Sequence, residues 1–392
     1  MKRIEGGICA VPGVRAAGVR QGKYGLALIV ASGTAAGMFT TNRVRAAPLA
    51  VTASNLVGGH LDGIIANSGC ANAYTGPRGL EDARAMARLL AGFLETDEAK
   101  IGVASTGVIG RYLDLGQIQS LFQEASANLR SDGAASLAAE RAIMTTDTRP
   151  KEIAVEHKGL RVAGIVKGAG MIEPNMATML CFLYTDATIS AERLHDCLAD
   201  AVKGSFNMLT VDGDTSTNDT VLITATGRAT GREEDLREAL SYVCMELARM
   251  MARDGEGASK YFEVVVSGAA SEKDARLAAK AVARSSLVKT AVYGADPNWG
   301  RIICAVGYSG AEMDPDRITL GLEKKGEEGG RLAVSLVERG RIVEGVLERA
   351  QEIMKGEEIM INIDLGLGCA GARGFGCDLT HEYVNVNANY TT

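Results

Sequence analysis

The segment Lys167-Gly-Ala-Gly-Met-Ile-Glu-Pro-Asn-Met-Ala-Thr178 brings a glycine-rich, proline-containing chain to a threonine that opens the apolar run Met179–Tyr184. A hydroxyl at the first position of a strand, reached through a bent lead-in, sits where backbone strain is readily stored. Threonine is a weak nucleophile without a base. Cutting the peptide between Ala177 and Thr178 would supply one, an α-amino group of pKa about 7.7–8.0. Hydroxyl and amine on one residue then act as nucleophile and base with no need of histidine. On these residues alone a plainer reading competes, a β-branched side chain that merely suits its strand.

Other chemistry is less well supported. Gly366-Leu-Gly-Cys-Ala-Gly371 follows an expected strand and has dinucleotide-fingerprint spacing. Only 21 residues remain after it, too few for the helix, second strand and ribose-binding acid of such a site. Asp212-Gly-Asp-Thr-Ser-Thr-Asn-Asp219 resembles a cation loop. Ser216 stands where the third oxygen ligand belongs and the central glycine is missing, so side-chain-capped turns are expected. His60, His157, His195 and His381 lie far apart, and no Gly-x-Ser-x-Gly occurs. The eight cysteines form no Cys-x-x-Cys pair, which favours reduced, mostly buried thiols over disulfides or a metal site.

Alternating strand-like and helix-like segments must position these residues. Helical spacing is read in Ala83–Leu94, Leu115–Ala125 and Glu234–Arg253, and Ser271-x-x-Asp274 is a capping box opening a helix to about Arg284. Strands are expected at Tyr24–Ala31, Gly63–Ala66, Thr178–Thr185, Thr220–Thr226, Tyr261–Ser267 and Ile359–Leu365, with another at Tyr383–Asn387. The class is α+β. A chain of 392 residues has room for two or three compact units. With 42 Lys and Arg against 48 Asp and Glu, the net charge of −6 argues against nucleic acid or an anionic membrane as partner. No stretch approaches the ~20 apolar residues of a spanning helix. The opening Met-Lys-Arg-Ile-Glu-Gly-Gly lacks a signal-like apolar run, so a cytoplasmic location is expected.

The lead-in to Thr178 resembles the cleavage signature of the ornithine acetyltransferase family, whose chain splits before a threonine that becomes the acetyl acceptor. The resemblance runs the length of the chain. It includes Ala36–Arg43, Ile65–Asn72, Met144–Thr148, Val211–Asp219, Asp254–Gly257, Asp296–Arg301 and Tyr383–Thr392. One departure is Phe375, where the family usually has tryptophan.

The resemblance implies a self-cleaving, multilayer α/β/β/α sandwich that yields an alpha chain of residues 1–177 and a beta chain of 178–392. It implies that Thr178 attacks the acetyl carbonyl, with Thr106 and Gly107 as the oxyanion hole. Thr145, Lys167, Glu256, Asn387 and Thr392 become substrate contacts; a carboxylate and amide oxygens suit a ligand bearing ammonium groups. The implied reaction is ping-pong transfer of acetyl from N-acetylornithine to glutamate in arginine biosynthesis, with no metal or cofactor. Some members also take acetyl-CoA as donor. The implied assembly is a heterotetramer of two alpha and two beta chains. Two rivals stand beside it: a self-cleaving aminopeptidase or amidohydrolase in which water is the acceptor, and a non-catalytic amino-acid-binding protein.

Overall fold

The computed structural model describes residues 1–173, 179–325 and 330–389. They divide into two compact units, one of residues 1–207 and 214–251 and one of 208–213 and 252–389. Each has helices packed on a sheet, the α+β layering expected.

The first unit is built on a nine-stranded sheet. Its order is Lys2–Ile4, Glu152–His157, Leu160–Lys167, Leu180–Ala187, Thr220–Ala229, Tyr24–Phe39, His60–Ser68 and Ile101–Ser105, with Arg15–Gln21 also paired to Tyr24–Phe39. From Gly25 to Ala31 the strand Tyr24–Phe39 is buried on both faces. Leu26, Leu28 and Val30 join one apolar cluster, while Ala27, Ile29 and Ala31 join the other, as a two-residue period requires. Helices Gly76–Leu94 and Leu115–Ala127 bring Met86, Leu90, Leu121 and Phe122 to the first cluster; helix Gly133–Ile143 brings Ala135, Ala139, Ala142 and Ile143 to the second. That helix lies very close to the sheet. A Cβ at Gly18 or Gly25 would stand 2.0 Å from the Ala138 or Ala142 carbonyl oxygen.

Register brings four strand ends level. Lys167 is opposite Leu180, Leu180 opposite Thr220, and Thr220 opposite Phe39. Lys167, the chain leading into Leu180, Asp219 and Thr40 therefore meet at one edge of the sheet.

The second unit holds a seven-stranded sheet ordered Arg341–Ile342, Arg331–Glu338, Thr319–Lys325, Glu358–Asp364, Tyr261–Ala269, Ala370–Cys377 and Leu209–Thr210. Helix Glu272–Arg284 packs on three of these strands, and the Ser271 hydroxyl caps it by accepting from the Asp274 N–H, as its capping box predicts.

Three expectations need correction or extension. Tyr383–Asn387 is not a strand but part of the helix His381–Asn389. Its Val-Asn alternation belongs to no buried face, since Val384 is 60% exposed. Thr380 Oγ1 accepts from the Tyr383 N–H, and the Asn387 and Asn389 amides donate to carbonyls four residues back, all bonds that suit a helix. The strand from Tyr24 continues to Phe39 through Ser32–Gly37, small residues that resemble a loop. At Gly33 a bulge and a 2.1 Å approach of the virtual Cβ to the Ala225 carbonyl explain the glycine. The strand after the lead-in begins at Leu180; Thr178 lies outside the described residues.

The Gly366–Gly371 run leads into the strand Ala370–Cys377 and opens no helix, so it is not a dinucleotide site. All eight cysteines are free, and five are buried. No helix among the described residues is long and apolar enough to cross a membrane.

Candidate active site

At the level strand ends of the first unit, Asp219 is fully buried and its Oδ1 accepts from the Met179 N–H at 3.0 Å. Met179 is the residue after Thr178; Ala177 and Thr178 themselves lie outside the described residues. The Asp219 carbonyl accepts from the Thr40 N–H at 3.0 Å, and the Met179 carbonyl from the Thr220 N–H at 2.9 Å. Burial pushes the Asp219 carboxyl well above the usual range, against the opposing pull of the Met179 N–H, the Thr40 hydroxyl and the Lys167 charge.

Thr106 and Gly107 follow the buried strand Ile101–Ser105 and interlock with the loop after His60–Ser68. Thr106 N–H donates to the Asn67 carbonyl at 3.0 Å, and Ala71 N–H to the Val108 carbonyl at 3.0 Å. Behind them Asn67 Oδ1 accepts from Ser105 Oγ at 2.6 Å, and the Asn218 amide donates to the Ser105 and Ala71 carbonyls at 2.8 and 2.6 Å. Asn218 thus ties together backbone from two distant segments, while the side-chain-capped turn expected locally is made by Ser216 Oγ, which accepts from the Asn218 N–H at 3.1 Å. Gly107 has φ +128°, and a Cβ there would stand 2.4 Å from the Gly69 carbonyl carbon. Only glycine fits. Among the described residues no acceptor meets the Gly107 N–H.

The buried Lys167 donates from Nζ to Thr106 Oγ1 at 3.1 Å and to Thr145 Oγ1 at 2.9 Å. Thr106 accepts this bond, so its own proton is left for another acceptor. Behind Lys167 lies Asp147. It accepts from the Gly168 N–H at 2.6 Å, the Thr145 N–H at 3.0 Å and Lys151 Nζ at 2.6 Å. The Asp147 and Lys151 side chains are both 0% exposed. Burial alone would raise the Asp147 carboxyl, but the charges of Lys167 and Lys151 and the hydrogen bonds from Lys151 and the Thr145 N–H overcome it and hold it at about 2.

Glu140 accepts from the Lys151 backbone N–H at 2.7 Å, while its other oxygen is buried without a partner. Burial pushes this carboxyl up to about 8, the Lys151 N–H and charge offsetting only part. Between about pH 4.3 and 8 the folded protein therefore keeps a proton that the unfolded chain has lost, so stability falls as pH rises through that window. Glu140→Gln has no such proton. Its stability relative to wild type should climb by up to about 1.4 kcal/mol per pH unit across pH 5–8. Denaturant melts at each pH check this, and a difference independent of pH would mean that Glu140 is not buried as a neutral acid.

In the second unit Asn387 Nδ2 donates to Glu256 Oε2 at 2.8 Å. Glu256 lies on the turn after helix Glu233–Arg253, and Asn387 on helix His381–Asn389. A Cβ at Gly257, which has φ +66°, would stand 2.4 Å from the Tyr383 N, so the turn and the helix meet backbone to backbone. The Gly257 carbonyl also accepts from Thr380 Oγ1 at 2.7 Å. Thr392 lies outside the described residues.

The first unit thus gathers Thr106, Gly107, Thr145 and Lys167, and the second pairs Glu256 with Asn387. Asp147, Lys151, Glu140 and Asp219 were not expected as site residues. Two of them lie inside motifs already noted, Met144–Thr148 and Val211–Asp219, where an aspartate beside threonines was the available signal. For a metal, His157, Asp235 and Glu238 could offer three ligand atoms among the described residues. Lys158 and Arg232 already neutralise those carboxylates.

An ammonium braced between two hydroxyls, beside a peptide N–H that meets no acceptor among the described residues, is a donor set of the kind that could stabilise negative charge on an acyl oxygen. Comparison with known proteins identifies the family. Residues 12–392 match the model of the ArgJ family. The glutamate N-acetyltransferase of Methanothermobacter thermautotrophicus is 52% identical over 403 residues, covering 100% of this chain and 99% of that protein. The arginine biosynthesis bifunctional protein ArgJ of Archaeoglobus fulgidus is 49% identical over 386 residues, covering 98% and 100%. A solved structure of the Bacillus halodurans protein named arginine biosynthesis bifunctional protein argJ is 39% identical with a TM-score of 0.49, covering 53% of this chain and 98% of that one. The chain belongs to the ArgJ family.

Proposed function

We propose that this protein transfers an acetyl group from N-acetylornithine to glutamate through an acetyl ester on Thr178, after cutting itself between Ala177 and Thr178 into chains 1–177 and 178–392. Thr178 Oγ attacks the acetyl carbonyl and its proton passes to the α-amine of the same residue. Thr106 Oγ1 and the Gly107 N–H donate to the oxyanion. As the C–N bond breaks the proton moves to the departing amine, and ornithine leaves. Glutamate's amine then attacks the ester and restores the Thr178 hydroxyl. Lys167 and Thr145 brace the acyl site, and Glu256, Asn387 and Thr392 hold the amino acid. The scheme calls for no metal or nucleotide. Acetyl-CoA would serve as a second donor in a bifunctional member, and two copies of each chain would form the assembly.

The observation that carries this reading is the Lys167–Thr106 bond of 3.1 Å beside the Gly107 amide, at the edge where the chain runs out of Thr178. Incubation with acetylornithine and no glutamate should add one acetyl group to the 178–392 fragment, located on Thr178 by fragment mass spectrometry. Varying both substrates should give parallel double-reciprocal lines, because ornithine leaves before glutamate binds. Intersecting lines with an unmodified fragment would mean direct transfer. Turnover indifferent to glutamate would favour the hydrolase.

A further inference from the structure

Asp147 is buried behind the acyl site, and the proposed chemistry gives it no task. Three groups converge on its carboxylate, and all three are donors: the Thr145 N–H, the Gly168 N–H and Lys151 Nζ. A carboxylate is the side chain that only accepts; an asparagine in its place must turn an NH2 toward one of them. Two of the donors belong to peptides on either side of the Lys167 ammonium. Thr145 N–H is the amide of the residue whose hydroxyl accepts from Lys167, and Gly168 N–H closes the peptide that Lys167 begins. One carboxylate therefore fixes both the lysine's backbone and the first of its two hydroxyl partners. The second partner, Thr106, stands on a different loop.

We infer that Asp147 is a positioning residue for acetyl transfer: it clamps the Thr145 and Gly168 peptides so that Lys167 Nζ is held on the lone pair of Thr106 Oγ1. The Thr106 proton is thereby turned outward to the acyl oxygen. The inference rests on the acetyl-transfer reading and adds to it a residue outside direct contact with substrate. A bland alternative is that Asp147 serves only to neutralise the fully buried Lys151. The two differ in what they predict for Thr106. Loss of the clamp acts through the Thr106 hydroxyl and should disappear when that hydroxyl is gone. Loss of a counter-ion acts through stability and should be cured by removing the lysine.

The test is a double-mutant cycle on the full-length, processed protein, with kcat and KM for both substrates and a thermal melt for each variant. Asp147→Asn should lower kcat about 10²-fold, as loosely held catalytic groups do, with a smaller change in KM. Adding it to Thr106→Ala should cost almost nothing further. If Asp147→Asn does not fold, Asp147→Asn with Lys151→Met takes its place in the cycle, Asp147 and its directly bonded lysine then losing their charges together. That pair should regain melting temperature while kcat stays low. Multiplicative losses with Thr106→Ala, or recovery of kcat in the Asp147→Asn, Lys151→Met protein, would overturn the clamp and leave Asp147 as a counter-ion. A wild-type protein that transfers no acetyl would instead sink the underlying reading, an outcome visible before any variant is made.

Discussion

Thr178→Ala is expected to run as a single chain of 392 residues and to lose acetyl transfer by a factor on the order of 10⁶, the scale seen when a nucleophile is removed outright. One hydroxyl is asked to do two jobs. In processing, it adds to the Ala177 carbonyl, the N-to-O shift gives an ester, and water releases chains 1–177 and 178–392. In turnover, it adds to the acetyl carbonyl with the freed amine as base. Alanine supplies neither. Intact mass and an acetylornithine–glutamate assay on one preparation decide both points. A Thr178→Ala protein that still splits at the same bond would assign the cut to another group.

The sheet says what should become of the two chains after the cut. Leu180–Ala187, in the later chain, pairs antiparallel with Leu160–Lys167 of the earlier one, and Thr220–Ala229, also in the later chain, pairs with Tyr24–Phe39. The two later strands lie between earlier ones within one hydrogen-bonded sheet, and residues from both sides of Thr178 share one of its apolar clusters. The compact units do not follow the proposed cut at all, since the first takes in residues on both sides of it. Processing in this arrangement would free an amine without freeing a domain.

Much of this architecture is legible in the amino-acid sequence wherever burial acts through a regular period. Leu26 to Ala31 alternate between two cores, and Ser271 with Asp274 marks a helix start that the hydrogen bonds match. Periodicity misleads where no face is buried. The Val-Asn alternation near the end of the chain has the spacing of a strand, yet local side-chain bonds to the backbone settle it as a helix. The site divides in a similar way. Thr106, Gly107, Thr145 and Lys167 come from separate stretches, and resemblance to a family was needed to group them. Their hydrogen bonds then followed from strand register, which no local pattern specifies. Asp147 and Glu140 were illegible for a further reason. Nothing in the composition of a segment tells a solvated carboxylate from one sealed behind a lysine; the packed helix Gly133–Ile143 buries Glu140, and Lys151 with the Thr145 and Gly168 amides encloses Asp147.

Thr106→Ala should lower kcat by about 10²–10³-fold and change KM much less, because the hydroxyl is proposed to meet substrate only when its carbonyl oxygen becomes an anion. The substitution is a narrow one. Thr106 is half-buried, its backbone N–H bond to Asn67 is untouched, and Lys167 keeps its 2.9 Å bond to Thr145. The Gly107 N–H also survives, which sets the floor: one donor of two is lost. Alanine at Gly107 would test less, since its Cβ would run into the Gly69 backbone and move the whole loop. The same hole would stabilise the tetrahedral intermediate of self-cleavage if both reactions use one oxyanion site. Precursor should then persist in Thr106→Ala preparations, and a time course of the 178–392 fragment against intact chain would show it. The diagnostic pattern is the split between constants. A fall confined to KM would make Thr106 a ground-state contact, and an unchanged kcat would remove it from the mechanism, leaving Lys167 with a hydroxyl partner that does no chemistry.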